Sequence, residues 1–155
     1  MTSATFNLLA IRDFDRAVNK AHWRDWLSWL IKKNNNLISY EEIRRTLPLS
    51  SQRYLGFQFV PLENIVGSEG RHRDFDRNFF PRQSYLKSRW VNIGKARYKE
   101  VTLPPVELIK IDEVYFVRDG NHRISVARTK GQEFIDATVT EIDTPVSLKI
   151  ADLKK

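Results

Sequence analysis

Cysteine is absent from all 155 residues. That excludes disulfides, thiolate metal sites and any mechanism that runs through a catalytic thiol. Long apolar runs are missing too. None approaches the roughly 20 residues a membrane-spanning helix needs, so no membrane partner is expected. The first residues lack the basic start and apolar core of a signal peptide, which leaves the cytoplasm as the default location. Glycine and proline number six each, and neither gathers into a linker. Internal repeats and low-complexity stretches are also missing.

What is present fits one soluble domain with a real core, at 41% hydrophobic and 29% charged residues. The net charge is +7 and lies unevenly. Residues 1–60 and 61–100 each carry nine Lys/Arg against five Asp/Glu, while residues 101–155 carry eight against nine. A basic excess of this kind points to a polyanionic partner, either nucleic acid or a nucleotide phosphate, or else to a solubilising surface.

From Thr5 to about Asn34 apolar residues recur at three- and four-residue steps, which predicts helix, with a break near Asn19–His22 that divides it in two. Trp23, Trp26 and Trp29 read as a face docked on the core. A homodimer contact and a base-stacking surface are the alternatives, since so wide an aromatic stripe is hard to leave exposed. Ser39 suits an N-cap, with Glu42 three residues on to complete a capping box. Residues 52–56 read as a loop and 57–62 as a strand, with 63–66 a helical turn or strand end. The polar, glycine-bearing segment 67–77 reads as a connector unless its charges have a task. A helix follows over 84–97, then strands over 106–111 and 114–117 that make a hairpin, a helix over 120–130 stopped by Gly131, and a strand over 135–142 before a polar tail.

The chain is organised around residues 114–127. An apolar strand breaks at Asp119-Gly120 and feeds directly into a helix, whose first N–H groups and positive dipole end favour an anion. His122 and Arg123 stand in that first turn, where a cation faces the wrong end of the dipole. A bound phosphate supplies the reason for them.

The strand at 57–62, Ile65-Val66-Gly67, the Leu103-Pro104-Pro105-Val106 link, the hairpin and the Gly120-Asn121-His122-Arg123 turn together resemble the ParB N-terminal/sulfiredoxin-like superfamily over about residues 57–142. The resemblance implies an α/β (α+β) fold, a small mixed sheet flanked by helices. Residues 57–155 form that domain, and residues 1–56 are a helical N-terminal extension packed on it. It also implies a nucleotide-phosphate pocket at Asp119, Gly120, Asn121, His122 and Arg123. Sulfiredoxins place a catalytic cysteine where this chain has Asn121, so their chemistry is excluded. Kinase-like members use a glutamate just after the first strand as base, and Glu69 occupies the comparable stretch. Arg71 and Arg73 would then clamp the phosphates, although the same charges can simply pair within a solvated loop.

Three classes follow. The first is a phosphotransferase or nucleotide hydrolase using ATP/ADP or CTP with Mg²⁺. The second is a nucleotide-gated nucleic-acid-associated regulator. The third is a nuclease in which Glu69, Asp74 and Asp76 gather a metal. The expectation carried forward is a domain that binds a nucleotide or other phosphate, with the first class as its activity, and the alternative is a nucleic-acid-associated regulator or nuclease using the basic surface of residues 61–100.

Overall fold

A computed structural model describes residues 2–153. Its first element is a single unbroken helix, α1 (Ser3–Leu30), capped by Thr2, whose side chain accepts the Thr5 N–H at 3.2 Å. The expected break near Asn19–His22 does not occur. Nothing there disfavours helix strongly enough, and Ala17 and Ala21 keep the inner face continuous as they bury with Ala10 and Phe14. The helix stops at Ile31, after which Lys32 turns to φ 58°. Lys32 and Lys33 therefore lie beyond the helix.

The next elements are β1 (Ile38–Ser39) and α2 (Tyr40–Thr46). Ser39 caps α2 by accepting the Glu42 N–H at 3.4 Å, but its hydroxyl donates to Glu41 at 2.9 Å and Glu42 returns no bond. Strand β2 (Gln52–Pro61) starts five residues earlier than the sequence suggests. A register shift between Tyr54 and Gly56 breaks its alternation, while pairing with β6 (Phe134–Ile142) continues on both sides of the shift, from Gln52 to Pro61. After one 3₁₀ turn at Leu62–Asn64 comes β3 (Ile65–Ser68), which takes up Gly67 and Ser68 from the expected connector.

The remaining elements are α3 (Lys87–Tyr98), β4 (Val106–Ile111), β5 (Val114–Asp119), α4 (Asn121–Thr129) and the short α5 (Ile150–Leu153). They build one mixed six-stranded sheet in the order β1-β3-β5-β4-β6-β2. The β4–β5 and β2–β6 pairs are antiparallel, whereas β1–β3, β3–β5 and β4–β6 are parallel. Val114–Val117 is buried on both faces, which is why it reads as an unbroken apolar run. Gly67 lets β1 approach β3. A Cβ there would lie 2.2 Å from the Ile38 carbonyl oxygen.

One sheet face carries α1, α3 and α4 over a core that includes Phe75, Phe79, Trp90, Val106 and Ile124. Phe14 meets Trp90 edge-on at 5.6 Å between ring centroids. Fully burying a side chain of this kind is worth about 3 kcal/mol. The other face packs Ile109, Ile111, Val114 and Phe116 under Tyr40 and Leu148. The segment after β6 is therefore no plain polar tail, because Leu148 closes a core.

Candidate functional site

The parallel pair β3–β5 ends at one edge of the molecule, and the chain leaves both strands beside the start of α4. Gly120 makes this possible. It lies at φ 113°, and an added Cβ would come within 2.5 Å of Val106 Cγ1. As the N-cap residue it brings no side chain to the helix start, and no side chain caps α4. The first-turn N–H groups are left available to an external acceptor. Ser68, the last residue of β3, donates to Asn121 Oδ1 at 2.8 Å inside the protein. Asn121 is thus a buried tie between β3 and α4.

A cleft of about 440 Å³ opens at this junction. Its α4 side consists of Asp119 through Arg123. Glu69, Gly70 and Arg71 form a second wall, Arg118 stands at the end of β5, and Arg89, Asn92 and Ile93 come across from α3. Of the residues expected from sequence, Glu69, Arg71, Asp119, Gly120, Asn121, His122 and Arg123 all line it. Arg73 is exposed and lies outside the lining.

The arginines differ in how their donors are used. Arg123 is largely enclosed. It donates to the Pro104 carbonyl at 2.6 Å, to the Pro105 carbonyl at 3.0 Å and to Asp119 Oδ2 at 3.0 Å. Its guanidinium therefore staples the extended link before β4 onto α4. Arg71 pairs with Asp74 at 3.1 Å, and Arg118 meets Glu69 at 3.4 Å. Arg89 has no ion pair or hydrogen bond among the described residues and faces the cleft as an uncompensated charge.

His122 is half-buried and meets Phe75 edge-on at 5.6 Å between ring centroids. Burial first, then the neighbouring Arg89 and Arg71, push its pKa down to about 4 against a weaker opposing pull from Asp74. At neutral pH it is an uncharged imidazole whose Nδ1 is buried without a hydrogen-bond partner. Of the two cations expected at the helix start, His122 is therefore uncharged in the unliganded protein, and Arg123 alone keeps its charge, paired with Asp119.

The carboxylates suggested as nuclease ligands do not gather. Asp76 is fully buried and accepts the Asn78 and Phe80 N–H groups at 2.9 and 3.0 Å, which fold the 75–81 turn around it. Burial raises its pKa. Asp74 serves Arg71 and Tyr85. No group of three or more His, Asp or Glu side chains suited to a metal occurs among the described residues. Nor is any described helix long and apolar enough to cross a membrane.

No family model and no curated protein matches the sequence. Among solved structures the chain is similar to the crystal structure of sulfiredoxin from Arabidopsis thaliana. The identity is 22%, the alignment covers 56% of this chain and 86% of that one, and the TM-score is 0.37. Gly70, Arg89, Asn92, Ile93 and Arg118 are the lining residues that sequence reasoning missed. Arg89, Asn92 and Ile93 stand at i, i+3 and i+4 on α3, a spacing that marks one helix face and was the available signal.

Proposed function

We propose that the cleft binds a phosphate-bearing small molecule, of which a nucleotide fits best. The observation that carries this reading is the pairing of an uncapped helix start with the unpaired guanidinium of Arg89 across the same cleft. Phosphate oxygens accept from the first-turn N–H groups of α4, and Arg89 reaches them from the opposite wall. The volume suits a nucleotide, lying within the roughly 300–1,000 Å³ usual for small-molecule sites. A phosphate near His122 would favour its protonated form, so binding and proton uptake are coupled.

Glu69 is the carboxylate placed to take a proton from an acceptor hydroxyl in a transfer or hydrolysis step. Its bond to Arg118 is long and half-exposed, so a ligand can displace it. Mg²⁺ would supply charge neutralisation between phosphates. Glu69 and Asp119 are the cleft's two carboxylates, and each is paired to an arginine. These residues build no metal cage of their own, so any Mg²⁺ would arrive with the ligand.

The test is a thermal-shift screen of ATP, ADP, CTP, GTP and short DNA, with and without Mg²⁺, on the intact chain and on Arg89→Ala. A bound nucleotide at about 100 times its dissociation constant adds roughly 2.7 kcal/mol of stability. Arg89→Ala should leave the unliganded melting temperature unchanged and weaken nucleotide binding by at least about tenfold, the usual worth of a charge-assisted hydrogen bond. Equal affinity in the variant sinks this reading. Stabilisation by DNA alone would replace it with nucleic-acid association through the basic 61–100 segment.

A further inference from the structure

A wide apolar surface lies on α1, none of whose residues line the cleft. Helix α1 turns Ala10, Phe14, Ala17 and Ala21 into the core, but its last turns leave Trp23 62%, Trp26 50%, Leu27 39% and Leu30 55% exposed. These four stand at i, i+3, i+4 and i+7, the spacing of a helix seam. Trp29 at 75% and Ile31 at 52% exposure flank them. The Trp23 and Trp26 rings lie 5.2 Å apart between centroids. The expectation that the tryptophans dock on the core is therefore corrected.

We infer that this seam is the contact surface for a second copy of the same chain, with the two α1 helices packed antiparallel around a two-fold axis between Trp26 and Leu27. Three observations support a copy of this chain as the occupant. A large aromatic side chain carries about 150–250 Å², so the six exposed side chains together offer on the order of 700 Å². That is close to the roughly 800 Å² per partner of a standard interface. Second, the charges within this stretch are drawn away from it. Asp25 accepts from Arg82 at 2.6 Å, and Arg24 lies over the Phe80 ring at 6.0 Å. Third, the seam is self-complementary under that axis. Trp23 falls opposite Leu30 and Trp26 opposite Leu27, so a large ring meets an aliphatic side chain at each level.

The exposed lysines set the salt dependence. Lys20, Lys32 and Lys33 are all exposed toward the two ends of the seam, Lys20 with its Nζ 5.7 Å from the Phe80 ring, and a second copy adds the same three positive charges alongside. Salt screens that repulsion, so self-association tightens as ionic strength rises. Docking onto an anionic lipid surface or single-stranded nucleic acid would instead weaken.

Sedimentation of the intact chain across the micromolar range tests this. The expected result is a doubling of mass, tighter in high salt and lost in the exposed-face double variant Trp26→Glu with Leu30→Glu, whose circular dichroism matches the parent. Because the chain has no cysteine, introduced ones are unique. Oxidised Leu27→Cys should cross-link to itself, whereas Leu8→Cys, 68% exposed on the same helix, should not. A monomer at every concentration and salt overturns the inference, as does a dimer that the double variant leaves intact. Vesicle or DNA binding by a persistent monomer overturns it in favour of that partner.

Discussion

Arg123 and Arg89 make an instructive pair. Arg123 belongs to the Gly-x-His-Arg turn and draws attention in the sequence, yet three of its hydrogen bonds run inward to Pro104, Pro105 and Asp119. Arg89 belongs to no motif, sits on an ordinary helix and reaches the same cleft with its donors unspent. The α4 wall is thus the part of the site that must be held in shape, and the α3 wall is the part free to answer a ligand. A recognisable motif marks where a site is. It need not mark which charge does the binding.

The contrast can be broken on either wall. On the α4 wall, Gly120→Ala should have the largest effect, since the new Cβ meets buried Val106 at 2.5 Å and the backbone stays at φ 113°. Strain and overpacking together cost roughly 3 kcal/mol, read as a lower urea midpoint at unchanged slope. Arg123→Ala should follow at about 1 kcal/mol, because it removes the charged donor that ties the exposed Pro104 and Pro105 carbonyls to α4. If it unfolds no more easily than the parent, the guanidinium is not a staple and belongs with the ligand-binding groups.

The pH dependence comes next. His122 titrates near 4 when folded against an ordinary 6.5, so the unfolded chain binds more protons between those values. Its contribution is fully present above pH 6.5 and is lost as the pH falls toward 4. With the ring only half-buried, screening reduces this to on the order of 1 kcal/mol. Chemical denaturation at several pH values should show that slope, and His122→Phe should flatten it. The smallest stability effect belongs to the wall formed by Glu69, Gly70 and Arg71. Glu69→Gln should shift stability by no more than about 0.5 kcal/mol, as expected for a half-exposed pair. Nucleotide binding should survive and turnover be lost. Wild-type turnover in that variant removes Glu69 from the chemistry.

Much of this was legible because it is local. The β4–β5 hairpin, the break at Gly120, the α3 and α4 helices and the stop at Gly131 follow from short-range pattern and turn chemistry. Seven of the eight residues expected at the site line one cleft. The misses share a different cause. Gln52–Gly56 looked like a loop because its strand character comes from the β6 partner. Gly67 looked like a linker because only the sheet reveals the close approach of β1. The tryptophans looked buried because hydrophobicity says that a side chain prefers cover without saying whether its own domain provides it.

By itself, then, the sequence determined the element types, the sharp strand-to-helix turn, the absence of thiol chemistry and the neighbourhood of the cleft. Each rests on residues close together in the chain or on composition. Tertiary structure alone decided which arginine is spent and which is free, that burial leaves His122 neutral, and that α1 presents a tryptophan seam to solvent. Those outcomes depend on what stands opposite a side chain in space, and no spacing along the chain encodes that.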